Sequence, residues 1–272
     1  FGHAVTIYEK RDILGGLNTF GVAPYKMRAD SALSEVEWIM SIGGINVEHG
    51  VSIPETHSWD DLLAKHDALF LAFGLGPDTR LDMSGADMDG ILGAVDFIED
   101  FKLNAVDLSD VKEAVVIGGG NTALDAVREL RGLGVPHVSL AYRGAESQMG
   151  GYAHEWSAGK DEGVVSVFNV QPVGYEGQGQ VTGLRVVRTD QAKKPIAGSE
   201  YVLPAQLVVL AVGQSKLGAL VSGLDGVETQ WGRVVTADDG QTGNPRVFAG
   251  GDCRNGGKEV VNGVAEGRDA AI

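Results

Sequence analysis

"VKEAVVIGGGNTALDAVRELRGLGVPHVSLAYRG", residues 111–144, holds a strand, a glycine turn, a helix and a second strand in one uninterrupted run. Ala114–Ile117 is a continuous apolar stretch, the texture of a strand buried in a parallel sheet. It leads into Gly118-x-Gly120-x-x-Ala123, which opens a helix, and that context gives the spacing a physical meaning. Gly118 permits a tight turn, Gly120 lets the backbone approach a pyrophosphate, and Ala123 lets the helix lie close on the sheet. The first helical turn, with Asn121 and Thr122, offers unpaired N–H groups and a positive dipole end to phosphates. A strand–helix turn that binds nothing is the alternative reading.

The tip of the next strand bears on which dinucleotide such a turn would hold. A site for NADH carries an acid there, whereas "HVSLAY" ends in Tyr142-Arg143. An arginine can pair with a 2′-phosphate, so NADPH is favoured and NADH stays possible. A lone arginine at a strand end is also an ordinary solvated charge.

Outward from this unit the chain keeps alternating. Ala4–Tyr8 reads as a strand ending on Glu9, a position where a carboxylate takes ribose hydroxyls, and "GGLNTFGVAPY" reads as a glycine-rich loop. Residues 30–42 place Leu33, Val36, Ile39 and Met40 on one helical stripe, with Asp30 or Ser31 as N-cap and Trp38 in the core. "INVEHGVSI" is expected as a strand, "SWDDLLAKH" as a helix capped by Ser58, "DALFLAFGLG" as a long buried strand, and residues 91–103 as a helix. From 164 to 212, "VVSVFNV", "QVTGLRVVRTD" and "SEYVLPAQLVVLAVG" predict an antiparallel meander returning to a buried strand at Leu207–Val212. "PRVFAGGDC" predicts a strand and a glycine turn ending in Asp252, followed by a helix from about Lys258.

At 272 residues the chain has room for roughly two domains. A formal charge of -15 argues against a nucleic-acid footprint or an anionic membrane surface. With no long apolar run and no signal-peptide pattern, a cytoplasmic protein is expected. The single cysteine, Cys253, excludes an internal disulfide, a redox CxxC pair and an iron–sulfur cluster ligated by this chain alone. His49, His57 and His66 lack metal-ligand spacing, and His154–Glu155 reads as a surface pair. Nothing resembles general acid–base or nucleophilic machinery. A second, dispersed set of glycines accompanies Glu9: Gly15-Gly16-Leu17, the "FGLG" of 73–76, and Gly250-Gly251-Asp252. Asp252 could bind a ribityl hydroxyl or simply cap a turn, and the helix N-terminus near Glu259–Val261 could face a ring oxygen.

The order of "VTIYEK", "GGL", "FGLG", "GGGNTALDA", "YRGAESQM", "AVGQ" and "VFAGGDCRNGGKEVVNGVAEGRDAA" resembles the two-dinucleotide-domain flavoproteins. The likeness is to the NADPH-dependent glutamate synthase small subunit and the NAD(P)H-oxidising part of dihydropyrimidine dehydrogenase. It implies an α/β fold of two Rossmann-like domains, one inserted in the other, with an antiparallel β-meander. Residues 1–94 and 213–272 would form an FAD-binding-type domain and 95–212 the NAD(P)H-binding domain. By the same resemblance Glu9 would take the FAD ribose, and Gly15, Gly16 and Leu17 would line the flavin side. Gly251 and Asp252 would meet the ribityl-pyrophosphate, with Val260 and Val261 near the ring, while Gly118, Gly120, Asn121, Thr122, Ala123 and Arg143 would hold NADPH; Gly74 and Gly213 are further expected cofactor-binding positions.

Hydride would pass from NADPH to FAD and electrons onward to a catalytic partner like the glutamate synthase large subunit or the rest of dihydropyrimidine dehydrogenase. Iron–sulfur clusters would lie in a segment preceding this one or in the partner. The first strand and phosphate loop of the FAD half are expected to precede Phe1, so the alternative is a fragment that binds NAD(P)H without FAD and without turnover. The resemblance also carries two arginines after the tyrosine, where this chain has Arg143 followed by Gly144.

Overall fold

The computed structural model describes residues 2–104 and 106–272. In chain order the elements are β1 (Val5–Glu9), α1 (Leu17–Phe20), α2 (Ala29–Met40), β2 (Ile45–His49), α3 (Trp59–Lys65), β3 (Leu69–Leu71), β4 (Ile91–Gly93) and α4 (Ala94–Leu103). Then come β5 (Glu113–Ile117), α5 (Asn121–Gly132), β6 (His137–Tyr142), α6 (Ala153–Asp161), β7 (Val165–Phe168), β8 (Val170–Gln178) and β9 (Gln180–Arg188). The remainder are β10 (Tyr201–Pro204), β11 (Leu207–Leu210), β12 (Thr229–Gln230), β13 (Arg233–Val234), β14 (Val247–Ala249), α7 (Asp252–Asn255) and α8 (Val260–Ala270). They divide into two units threaded through one another in sequence. One takes residues 1–14, 36–76 and 214–272, and the other residues 15–35 and 77–213.

The larger unit is organised by a parallel sheet of order β4-β11-β5-β6-β7. Its central strands are mostly apolar because both faces are covered, and the pleat sorts the side chains between two cores. Ala114, Val116, Val138, Leu140, Leu207 and Val209 pack with Phe97 and Ile98 of α4, Leu124, Val127 and Leu130 of α5, and Trp156 of α6. The alternate residues Val115, Ile117, Ala141, Val208 and Leu210 pack with Tyr175, Val181, Leu184 and Val186 of the antiparallel sheet β10-β9-β8. From the last turn of α4, the Lys102 ammonium donates to the carbonyls of Asn18 (2.6 Å) and Val22 (2.9 Å), which ties the 15–25 segment down.

The other unit has two separate two-stranded parallel sheets, β1-β2 and β14-β3, in register from Val5↔Ile45 and Val247↔Leu69. Its core is Leu71, Val221, Leu224, Val234, Val247, Ala249 and Cys253. Ser58 caps α3 reciprocally: its hydroxyl accepts from Asp61 N–H at 3.1 Å, and Asp61 accepts from Ser58 N–H at 3.4 Å.

Several sequence expectations change. Residues 91–93 are strand, with the helix beginning at Ala94, and the "GGLNTFG" loop contains α1. β7 is not part of the meander; it pairs parallel with β6 at the sheet edge. The long strand from 67 shrinks to three residues because the chain leaves β14 after Leu71. α2 already includes Asp30, so neither Asp30 nor Ser31 is its N-cap. Trp38 is 68% exposed, because the α2 surface that buries a side chain is the one carrying Ala32.

Two substitutions separate these positions. Phe97→Ala removes a 1% exposed ring and should lower unfolding stability by about 3–5 kcal/mol. Trp38→Ala should change it by less than about 0.5 kcal/mol. Urea midpoints measure both, and a Trp38 variant as damaging as the Phe97 variant would contradict the packing described.

Candidate functional site

In the larger unit the site is at the carboxyl ends of β5 and β11. From β5 the chain crosses through α5 to β6 on one side, whereas β11 lies on the other side beside β4. This reversal leaves a crevice where ligands bind in open α/β sheets. Gly118 sits in it with φ 155°, and a Cβ there would lie 2.4 Å from the Ala211 carbonyl and 3.0 Å from the Ala123 methyl. A Cβ on Gly119 would fall 2.6 Å from the Tyr142 ring. Gly120 is different: its φ is -98° and nothing lies within 4 Å of the place a Cβ would take. The first two glycines are therefore demanded by packing within the unit, while the third faces open space at the N-terminus of the twelve-residue α5.

The surroundings are tied to the same turn. The Gly150 and Gly151 N–H groups donate to the Gly119 carbonyl at 2.9 and 3.0 Å. The Asn121 side-chain oxygen accepts from Tyr152 N–H at 2.9 Å, so Asn121 holds the 150–152 loop over the helix start. Thr122 is exposed and Ala123 wholly buried. Gly213, with φ 111° and open space beside it, follows β11. Arg143 is exposed at the tip of β6, and its carbonyl accepts from the Thr189 hydroxyl at 2.9 Å.

The remaining predicted residues divide between the units. Gly15 and Gly16, with φ 103° and 53°, and the exposed Leu17 belong to the larger unit, where Gly16 caps α1. Glu9, Gly74, Gly251, Asp252, Val260 and Val261 belong to the other. There Glu9 accepts from Arg11 N–H at 2.8 Å, and Gly74 has φ 70° with open space beside it. Gly251 N–H donates to Glu266 at 2.6 Å. Asp252 is the first residue of α7 rather than the end of a turn, and it accepts from Lys258 N–H at 3.3 Å. Val260 and Val261 stand exposed on the first turn of α8. Glu266, which also accepts from Asn255, had no signal in the sequence beyond a helical position.

A second feature was missed entirely. The Lys26 ammonium lies 2.7 Å from Asp125 and 2.8 Å from Glu155, and the Tyr25 hydroxyl donates to Asp125 at 2.6 Å. Burial pulls the lysine down, but its hydrogen bonds to Asp125 and Glu155 hold it above the ordinary lysine value. Burial, reinforced by Asp125, pushes the Tyr25 hydroxyl up, and burial raises Glu129. Glu155 is consequently buried and paired, not half of a surface pair, while His154 stacks on Tyr152 at 5.7 Å. This cluster fastens residues 25 and 26 to α5 and α6, the helices that frame the turn.

Cys253 is buried, its thiol donating to the Leu71 and Gly250 carbonyls at 3.2 Å, and burial pushes it up to about 11. It is a packed side chain rather than a nucleophile. Among the described residues no group of acids, histidines or cysteines could hold a metal ion, and no helix is long and apolar enough to cross a membrane.

The sequence profile of the pyridine nucleotide-disulphide oxidoreductases matches residues 3–267. The chain belongs to that family. Among its relatives, the putative oxidoreductase AegA of Escherichia coli is 34% identical over 99% of this chain and 45% of its own length. The glutamate synthase [NADPH] small chain of Escherichia coli is 32% identical over 99% of this chain and 62% of its own. The chain thus spans roughly half the length of these relatives. Mycobacterium tuberculosis FprA, solved in complex with NADPH, shares the fold with a TM-score of 0.76 at 22% identity, over 98% of this chain and 76% of that one.

The three turn glycines should respond differently to a methyl group. Gly118→Ala strains a left-handed backbone and meets Ala211, so it should cost at least about 1–3 kcal/mol of stability. Gly120→Ala should melt with the parent yet bind NADPH about tenfold more weakly. Melting temperature and nucleotide titration together check this, and unaltered binding by the Gly120 variant would remove the phosphate assignment.

Proposed function

We propose that this chain is the nicotinamide-oxidising part of a flavoprotein electron-transfer enzyme. The observation that carries the reading is the open face of Gly120 at the start of α5, beside two glycines whose shape the fold itself requires. Gly118, Gly120 and the first-turn N–H groups of Asn121 and Thr122 hold the pyrophosphate. Ala123 keeps the helix close, Gly213 leaves room at the end of β11, and Arg143 takes the 2′-phosphate of NADPH. Bound NADPH would supply a hydride and bound FAD would take it, converting a two-electron donor into a source of single electrons.

In the other unit, Glu9 would meet the FAD ribose, Gly251 and Asp252 its ribityl-pyrophosphate, and Val260 and Val261 would lie by the ring. The open space beside Gly74 and Gly251 and the exposure of the first turn of α8 are compatible with that group. The expected boundaries, 1–94 and 213–272 for the FAD type and 95–212 for NADPH, differ from the two units in giving residues 15–35 and 77–94, β4 among them, to the FAD part. The electrons would leave to an iron–sulfur centre, either in a segment preceding this one or in a catalytic partner subunit. The glutamate synthase small chain, whose name marks it as one chain of a larger enzyme, supports this assignment.

A second reading, NADPH binding without flavin turnover, is favoured by the two-stranded sheets of the smaller unit. β1 pairs with β2 alone and β3 with β14 alone among the described strands, and a two-stranded sheet is marginal as a scaffold. A visible spectrum of the purified chain, before and after NADPH, tests the two. Flavin absorbance bleached by NADPH is expected. Colourless protein that still binds NADPH supports the second reading, and absence of any nucleotide affinity refutes both.

A further inference from the structure

We infer that Lys193 is the second cation for the 2′-phosphate of NADPH, reaching the tip of β6 from a loop about 50 residues downstream of Arg143. The inference rests on reading that tip as the adenosine end of the NADPH site.

A 2′-phosphate brings up to two negative charges and three acceptor oxygens, more than one guanidinium satisfies. Arg143 is followed by Gly144, which supplies no charge. The room beside Gly144 is nevertheless filled: a Cβ there would lie 2.6 Å from Gln148 Oε1, 3.0 Å from Lys193 Cε and 3.0 Å from the Tyr142 ring. Lys193 Nζ is 5.6 Å from the centre of that ring. Glycine at 144 leaves space that the Gln148 amide and the Lys193 stem share, and the cation absent from position 144 arrives through space from position 193.

The loop that delivers it is held firmly. The Thr189 hydroxyl donates to the Arg143 carbonyl at 2.9 Å, Thr189 N–H to the Asn169 carbonyl at 2.8 Å, and Asn169 N–H to the Gly144 carbonyl at 3.1 Å. Asp190 then closes a tight turn: its carboxylate accepts from Ala192 and Lys194 N–H at 2.9 and 2.8 Å, and its carbonyl from Lys193 N–H at 2.9 Å. Lys193 adopts φ 62°, a left-handed conformation usually reserved for glycine. Glycine would fit that backbone without strain, so Lys193→Gly removes the ammonium without burdening the turn.

Charge balance at the tip agrees. Among the described residues neither Arg143 nor Lys193 forms an ion pair, and the Asp190 carboxylate is engaged by backbone N–H groups. Glu146, in the turn after Gly144, is neutralised by Lys160 at 2.7 Å and accepts from Trp156 at 2.7 Å. Lys194, next along the loop, is fully outside and serves as the control.

The test measures binding of NADPH, NADH, 2′,5′-ADP and 5′-AMP by calorimetry to the whole chain and to Lys193→Gly, Lys193→Arg, Lys194→Ala and Arg143→Ala. Lys193→Gly suits the left-handed backbone, so misfolding cannot explain its result. It should bind NADPH and 2′,5′-ADP about tenfold more weakly and leave NADH and 5′-AMP unchanged, with Lys193→Arg close to the parent and Lys194→Ala unaltered. A parent that prefers NADPH, loses the preference in Arg143→Ala and keeps it in Lys193→Gly overturns the role of Lys193 while leaving the NADPH reading intact. A parent without preference for the 2′-phosphate, or without nucleotide binding, overturns both.

Discussion

The larger unit depends on two backbones approaching at a point where no side chain fits. At the ends of β5 and β11, a methyl group on Gly118 would sit 2.4 Å from the Ala211 carbonyl, and one on Gly119 would strike the Tyr142 ring. Those contacts set how closely α5 starts behind the sheet and where the tip of β6 lies. Everything that reads as a nucleotide site follows from them: the open Gly120, the first turn of α5, and Arg143 at the end of the neighbouring strand.

The sheet beneath can bear that constraint because it is enclosed on both faces. Alternate residues of β5, β6 and β11 feed a helical core on one side and the meander's core on the other. The meander is thus more than a cover, since its distal loop returns to the tip of β6 and ties the Arg143 and Gly144 carbonyls to residues 169 and 189. On the helical side, Lys26 joins Asp125 and Glu155 in a buried cluster. Removing one partner of such a cluster leaves the others unpaired, so Lys26, Asp125 and Glu155 hold the 25–26 segment against α5 and α6 as a set.

The central strand–turn–helix–strand was legible because its determinants are local: an apolar run, glycines at set spacing, and a helix start within a few residues. The capped helix after Ser58 was legible for the same reason. β4 was read as helix because three residues give no period to recognise, and its status comes from pairing with β11 over 100 residues away. β7 looked like the meander beside it, and only its parallel partner β6 distinguishes it. Trp38 fitted a helical stripe whose outward side is not covered. Neither the Lys26 cluster nor the approach of Lys193 to Gly144 could be read from spacing, since each joins residues that folding alone makes neighbours.

Hydrogen exchange of the intact chain with and without NADPH tests the central claim most directly. The account predicts that added protection concentrates in the amides of the 118–124 turn and in the segments at 142–144 and 189–194. Protection confined to other segments, with the glycine turn exchanging at its free rate while NADPH is bound, would contradict it.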